Sequence, residues 1–235
     1  MYAMILAAGL GERMRDLTQD KPKALLEVSG KPLIVYQIES LVLAGVKKII
    51  INTGRFGEQI HDTLGAGENL SVKIIYSDEG DSPLETAGGV VKALPLLSED
   101  AFILTNADIF TDFDYKKLFN SLNSDDAHLV LVNNPKHNKQ GDFVLKNGRV
   151  MKNGSKTLTY SGIGFYHPRF FMKYMPNKTH YPLAPLLSQS IKAKTLSGQY
   201  FDGYWSDVGT PEQLYEVNNC LLYTSDAADE RSSVD

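Results

Sequence analysis

The chain has 235 residues, 43% of them apolar and 22% charged, which is enough to bury a full core and too few charges for a disordered polymer. A net charge of −4 with no long Lys/Arg block excludes a broad nucleic-acid or anionic-membrane surface, so charge that meets a ligand has to be local. The single cysteine, Cys220, excludes an intramolecular disulfide and a Cys-based metal site and suits a cytoplasmic protein. No apolar run approaches the ~20 residues that span a bilayer, and the first ten residues lack the basic start of a signal peptide.

Tyr2 to Ala7 is an apolar run that reads as a buried strand, and Gly9 and Gly11 after it let the backbone turn tightly enough to present amide N–H groups to an anion. Arg13, Lys21 and Lys23 place fixed positive charge within a few residues of that cradle, as holding a triphosphate requires. Two common phosphate motifs fit poorly. A dinucleotide fingerprint needs a third glycine where Met14 stands, and a P-loop needs Gly-Lys-Ser/Thr.

Pro32 opens a predicted helix that runs to Ala44 and is closed by Gly45. Lys48 to Thr53 is a β-branched run that suits a parallel strand buried on both faces. A short helix from Phe56 to Leu64, a strand from Val72 to Ser77, a helix from Gly88 to Leu97 and a strand from Ala101 to Thr105 continue the alternation. The pattern predicts an α/β fold with an open, mostly parallel, Rossmann-like sheet flanked by helices, whose ligands bind beyond the carboxyl ends of the strands.

The alternation loosens after a strand at His128 to Val132. Phe143 to Lys146, Asn147-Gly148 and Arg149 to Lys152 spell a hairpin with a type I′ turn, so the sheet is expected to become mixed there. Strands at Thr157 to Phe165, Leu196 to Tyr200 and Gly203 to Val208, with helices near Pro168 to Tyr174, Leu183 to Ala193 and Pro211 to Leu222, complete a single domain over 1–221. Residues 222–235 are polar and lack helical periodicity, and are expected to be a disordered or foreign tail.

Two more stretches carry chemistry. Asn106-Ala107-Asp108 ends a buried strand, where a carboxylate is costly to desolvate unless it holds a cation, so Asp108 is a candidate Mg²⁺ ligand. Asp112 is more ordinary, and Asp114 is placed to cap a helix starting near Tyr115. Asp207, in Trp205-Ser206-Asp207-Val208-Gly209-Thr210-Pro211, also ends a strand just before a helix. Mg²⁺ takes one or two protein carboxylates and fills its other positions with phosphate oxygens and water, so Asp108 with Asp207 is a sufficient protein share.

Gly9-Leu10-Gly11-Glu12-Arg13-Met14, Pro22-Lys23, Leu84-Glu85-Thr86-Ala87-Gly88-Gly89, Asn106-Ala107-Asp108, Gly141-Asp142-Phe143, Tyr160-Ser161-Gly162-Ile163 and Trp205 to Thr210 appear in an order that resembles the sugar-nucleotide pyrophosphorylases, or nucleotidylyltransferases, over nearly the whole chain to about Asn219. The resemblance implies a glycosyltransferase-A-like nucleotidyltransferase fold and Mg²⁺-dependent transfer of a nucleotidyl group to a sugar 1-phosphate. It is nearest the members that join UTP to N-acetylmuramic acid 1-phosphate in peptidoglycan recycling. Mannose 1-phosphate with GTP and glucose 1-phosphate with dTTP or UTP are the alternative pairs, and a non-catalytic sugar-nucleotide sensor is a more distant one.

By the same resemblance, Ala8, Gly9, Gly11 and Glu12 bind the triphosphate, Arg13 meets the leaving pyrophosphate and Lys23 the reacting phosphate. Glu85 touches base or sugar, Gly88 in the loop before the third helix admits the nucleobase, and Asn106 contacts nucleotide or sugar. Gly141 and Ser161 line the sugar pocket, and Asp108 and Asp207 hold Mg²⁺. Where many members grip the sugar phosphate with Glu-Lys-Pro, this chain reads Val150-Met151-Lys152-Asn153, which leaves that cation open. Simpler roles compete at some positions. Glu85 can cap the next helix, Trp205 can be core packing, and the five scattered histidines read as structural or solvent-facing.

Overall fold

The computed structural model describes residues 1–174 and 179–220, so the expected tail over 222–235 lies outside the described residues. One nine-stranded sheet runs through the molecule. Its first strand, β1 (Tyr2–Leu6), is followed by a two-residue hairpin, β2 (Glu27–Val28) and β3 (Lys31–Pro32), and by helix α1 (Leu33–Leu43). Then come β4 (Lys48–Thr53), α2 (Gly57–Leu64), β5 (Lys73–Asp78), α3 (Glu85–Ala93), β6 (Phe102–Asn106) and the short β7 (Ile109–Thr111). The second half holds β8 (Ala127–Val132), β9 (Phe143–Lys146), β10 (Arg149–Met151), β11 (Thr157–Tyr166), α4 (Pro168–Tyr174), α5 (Leu183–Ala193), β12 (Leu196–Tyr200) and β13 (Trp205–Asp207). A last helix, α6, covers 211–220 of the described residues.

Pleating divides the core. Along β1, Ala3 and Ile5 face a cluster with Ile34, Ile38 and Leu41 of α1 and Ile60 of α2. Met4 faces the opposite cluster with Val90 of α3, Phe170 and Phe171 of α4, and Leu186 of α5. β4 repeats this, Ile49 and Ile51 on one side and Ile50 on the other. A strand buried on both faces has no polar side to show, which is why these strands read as unbroken apolar runs.

The strand order is β5-β4-β1-β6-β11-β8-β12-β10-β9. The first four strands are mutually parallel, as the alternation predicts, but β11 enters antiparallel between β6 and β8. β12 is parallel to β8, while β10 and β9 close the edge antiparallel. The architecture is a mixed α/β sheet, as the second half was expected to make it, but the expectation that it is mostly parallel and Rossmann-like is corrected by the antiparallel pairings of β11, β10 and β9. The Asn147-Gly148 hairpin forms as read, with both residues at positive φ, 51° and 72°.

Helix α3 also differs from expectation. It starts at Glu85, so Gly88 and Gly89 lie inside the helix rather than in a loop before it. The amides of Ala87 and Gly88 both donate to the Tyr181 carbonyl, which satisfies two of the free donors at a helix N-terminus. A Cβ at Gly88 would sit 2.3 Å from the Thr179 carbonyl oxygen. Glycine is required there by a passing backbone.

A third, smaller cluster joins the two ends of the chain. Met14, Leu26, Val28 and Leu33 pack against Val208 and Val217, with Leu214 alongside. Full burial of Met14 contributes about 1.5–3 kcal/mol and anchors the segment after Gly11 beneath α6. Among the described residues no helix is long and apolar enough to cross a membrane.

Candidate active site

A cleft of about 760 Å³ opens at the carboxyl ends of β1, β4 and β6. It is lined by the stretch Leu6 to Arg13, by Lys23 and Ala24, by Asn52 and Glu79, by Pro83, Glu85 and Thr86, by Asn106 to Asp108, and by Gly209. Of the residues expected to bind substrate, Ala8, Gly9, Gly11, Glu12, Glu85 and Asn106 all line it, as do Arg13, Lys23 and Asp108.

The loop after β1 is held from both sides while its amides stay open. Ala7 N–H donates to Asn52 Oδ1 at 2.8 Å, and Thr18 Oγ1–H donates to the Gly11 carbonyl at 3.0 Å. Gly11 has φ 67° and packs against the Lys23 stem, where an added Cβ would lie 3.2 Å from Lys23 Cβ. Between these anchors the amides of Ala8, Gly9, Leu10 and Gly11 donate to no protein acceptor among the described residues. Consecutive free N–H groups beside two cations form an anion site.

Lys23 pairs with Asp108 Oδ2. The other oxygen, Oδ1, is buried with no hydrogen-bond partner among the described residues, and such a carboxylate oxygen in a polar cleft fits a cation. The second carboxylate comes from the far end of the chain. β13 pairs with β7 so that Asp207 stands opposite Ile109, one residue after Asp108, and Val208 N–H donates to the Asp108 carbonyl at 2.8 Å. Burial raises the Asp207 pKa above the usual carboxylate value; His137 opposes that shift and the negative charge of Asp108 adds to it. Two hard oxygen ligands side by side, one oxygen unsatisfied, fit Mg²⁺. Among the described residues no group of three or more His, Cys, Asp or Glu forms a larger metal cluster.

Arg13 reaches the same corner. A Cβ on Gly209 would lie 3.0 Å from its guanidinium, so glycine at 209 leaves room for the arginine against the backbone after Asp207.

Other expected residues fall elsewhere. Gly88, Gly141, Ser161 and Asp207 do not line this cleft, although β13 brings Asp207 beside Asp108. Gly141 has φ 62° in a turn packed on Asn134 and Thr157. Ser161 is 1% exposed, and its hydroxyl donates to the Val130 carbonyl at 2.8 Å, within a register shift of β11 between Tyr160 and Gly164. The Ser161 side chain is thus committed to the sheet and offers nothing to a sugar. Lys21 does not line the cleft, and Lys152 follows β10 at the sheet's far edge. Asp114 caps as read, accepting from Lys116 N–H at 3.0 Å. Glu85 is the first residue of α3, and the N-cap position is taken by Leu84. Trp205 packs on the core and donates Nε1–H to the Ser161 carbonyl at 2.9 Å.

Three partners escaped the sequence reading. Glu79 accepts from Asn52 Nδ2 at 2.6 Å and from Leu84 N–H at 2.7 Å, which stiffens the cleft wall opposite the loop. His137, expected to be structural or solvent-facing, instead places Nε2 3.0 Å from Asp207 Oδ2. Gln213 of α6 donates to Asp207 Oδ1 at 3.1 Å. The polar stretch of Asn134 to Asn138 carries no signal for this, because the contact depends on how β8 and β13 are placed.

Comparison with known proteins gives one consistent result. A family model described as nucleotidyl transferase matches residues 2–223. The N-acetylmuramate alpha-1-phosphate uridylyltransferase of Neisseria meningitidis serogroup B is 45% identical over 224 residues, covering 92% of this chain and 96% of that protein. The mannose-1-phosphate guanylyltransferase catalytic subunit beta of Dictyostelium discoideum is 30% identical over 226 residues, covering 91% of this chain and 62% of that longer protein. A Bacillus anthracis crystal structure with sucrose, described as a glucose-1-phosphate thymidylyltransferase, superposes with a TM-score of 0.83 at 20% identity, covering 94% of this chain and 95% of that one.

Proposed function

The chain belongs to the nucleotidyl transferase family, and from that premise we propose that it condenses UTP with N-acetylmuramic acid α-1-phosphate to UDP-N-acetylmuramic acid and pyrophosphate, as a cytoplasmic step of peptidoglycan recycling. The observation that carries this reading is the gathering of Asp108, Lys23 and Arg13 in a cleft whose loop amides are free, with Asp207 brought beside Asp108 by β13. The near-full-length identity to a uridylyltransferase of that sugar supports the choice of substrates.

The reaction needs no general base. The second ionisation of a phosphate monoester has pKa around 6, so the sugar phosphate arrives as a dianion near neutral pH. What it needs is the gathering of two polyanions and stabilisation of the phosphorus under in-line attack. The amides of Ala8 to Gly11 grip the triphosphate, Arg13 neutralises the departing pyrophosphate, and Lys23, released from Asp108, turns to the reacting phosphate. Asp108 and Asp207 are the residues that would hold Mg²⁺. When bound there, the ion supplies positive charge to the phosphate oxygens. Asn106 and Glu85 face the same cleft, positioned for the nucleoside or sugar.

The test is a pyrophosphate-release screen of UTP, GTP, dTTP and ATP against the 1-phosphates of N-acetylmuramic acid, N-acetylglucosamine, mannose and glucose. UTP with N-acetylmuramic acid 1-phosphate is expected to give the highest kcat/KM. The two N-acetylated sugars differ by an anionic lactyl ether, and a pocket built for that group leaves a polar partner unpaired without it. Equal specificity constants for the two would remove the muramic assignment and leave the reaction class standing. No pyrophosphate from any pair would remove the class.

A further inference from the structure

Asp207 is brought beside Asp108 by β13, outside the lining of the cleft, and each of its carboxylate oxygens has a partner of its own. Its Oδ2 meets His137 Nε2 at 3.0 Å, its Oδ1 accepts from Gln213 Nε2 at 3.1 Å, and the two partners touch each other, Gln213 Nε2 lying 3.3 Å from His137 Nδ1. The Gln213 carbonyl oxygen accepts Gly209 N–H at 2.9 Å, the glycine against which Arg13 rests. A carboxylate has about four acceptor sites. One donor on each oxygen fixes the plane of the group and leaves each oxygen a free lone pair.

The two donors come from different elements. Gln213 rides on α6, whose Leu214 and Val217 pack with Met14. His137 sits in the 133–142 connection between β8 and β9, which is itself rigid: Asn138 N–H donates to the Pro135 carbonyl, Gly141 N–H to Asn138, and Asp142 N–H to Leu158. Asn138 Nδ2 also donates to Asp142, whose other oxygen accepts Tyr160 N–H at 2.8 Å. The connection is thereby tied to β11, in the half of the sheet away from the triphosphate loop.

We propose that His137 and Gln213 are positioning residues that set the Asp207 carboxylate for divalent-cation binding, with His137 coupling the 133–142 connection to that site. The proposal rests on the reading that Asp108 and Asp207 share a cation. Partners that orient a ligand are worth roughly 10- to 100-fold in metal affinity, a loss that more metal restores.

The test measures Mn²⁺ binding to the apo protein by electron paramagnetic resonance, alongside the Mg²⁺ dependence of turnover, for the unaltered chain, His137→Ala, His137→Gln and Gln213→Ala. Mn²⁺ Kd is expected to rise roughly 10-fold or more in the two alanine variants, with kcat at saturating Mg²⁺ largely recovered. His137→Gln, whose amide can donate from near the Nε2 position, is expected to stay close to the unaltered Kd. Alanine variants that bind Mn²⁺ within twofold of the unaltered chain, or whose turnover stays low at every Mg²⁺ concentration, overturn the proposal. If His137→Ala fails to fold, His137→Gln and Gln213→Ala carry the same comparison. An unaltered chain that binds no Mn²⁺ but still releases pyrophosphate removes the shared-cation reading and this proposal with it, and leaves the reaction class in place.

Discussion

Asp108 and Asp207 arrive at one corner from the two halves of the chain, and their surroundings differ in kind. Asp108, at the end of a parallel strand, faces the permanent charge of Lys23 and keeps one oxygen orphaned. Asp207, brought in by a three-residue antiparallel pairing, is framed by hydrogen-bond donors on both oxygens. The first half thus supplies fixed cations and free backbone amides, and the second half supplies aim. Loops at the carboxyl ends of parallel strands converge on one edge. Asp207 instead arrives on β13, a short strand that pairs with β7 outside the nine-stranded sheet.

The largest effects should come from breaking the pair. Asp108→Ala and Asp207→Ala are each expected to lower kcat/KM by about 10³-fold or more at ordinary Mg²⁺, since losing one electrostatic contact to a transition state already costs about 10²–10³. Both variants should fold, because removing either carboxylate relieves repulsion that now contributes to the raised Asp207 pKa. Retention of full activity in a chelator by the unaltered chain would contradict the shared-metal mechanism. Lys23→Ala should follow at about 10²–10³-fold, mainly in kcat, whereas Arg13→Ala should raise the UTP KM as well, because Arg13 meets the ground-state triphosphate too. Near-normal kcat in Lys23→Ala would show that the lysine serves only Asp108.

These expectations separate what was legible from what was not. Lys23 was read from its charge near the phosphate loop and Asp207 from its place at a strand end before a helix, whereas the loop at Gly9 to Arg13, and Asp108, could be read because each follows an apolar run that reads as a buried strand. The four parallel strands were legible for the same reason. The insertion of β11 beside β6 was not, since nothing local to Thr157 to Tyr166 states which strand it joins. Gly88 looked like a ligand-approach glycine. Its true neighbour, the Thr179 carbonyl, comes from about ninety residues away and leaves no mark on Ala87-Gly88-Gly89. His137 was missed likewise, because the 133–142 connection has the composition of any surface turn.

Gly88→Ala sharpens the comparison at the seam where Tyr181 grips α3. The added methyl meets backbone, which cannot turn aside, so stability should fall by about 1–3 kcal/mol, read as a lowered urea midpoint. Gly9→Ala, where a Cβ meets nothing within 4 Å, should leave the midpoint unchanged whatever it does to UTP binding. A Gly88→Ala midpoint equal to the unaltered one would mean that the 179–181 segment yields easily.

The smallest expected effect is a pH dependence that belongs to the second half. His128 of β8 is buried, its Nδ1 2.9 Å from Ser197 Oγ and its Nε2 3.2 Å from Gln199 Oε1. The neutral ring satisfies both, accepting from the serine and donating to the glutamine. Burial holds its pKa below the usual 6.5, opposed by the Gln199 hydrogen bond and the Asp125 charge. The folded chain therefore binds this proton less readily than the unfolded chain. The stability it contributes is fully present above pH about 6.5 and is lost as pH falls from there through the folded pKa. Urea unfolding at pH 7.5 and 5.5 should show His128→Gln losing less stability on acidification than the unaltered chain. The difference should stay within about 1.4 kcal/mol, the free energy of a tenfold change in proton affinity, because pH 5.5 lies only about one pH unit below the ordinary histidine value. Equal losses in the two proteins would mean that the ring is protonated as readily inside β8 as in the unfolded chain, and that the acid sensitivity lies with other groups.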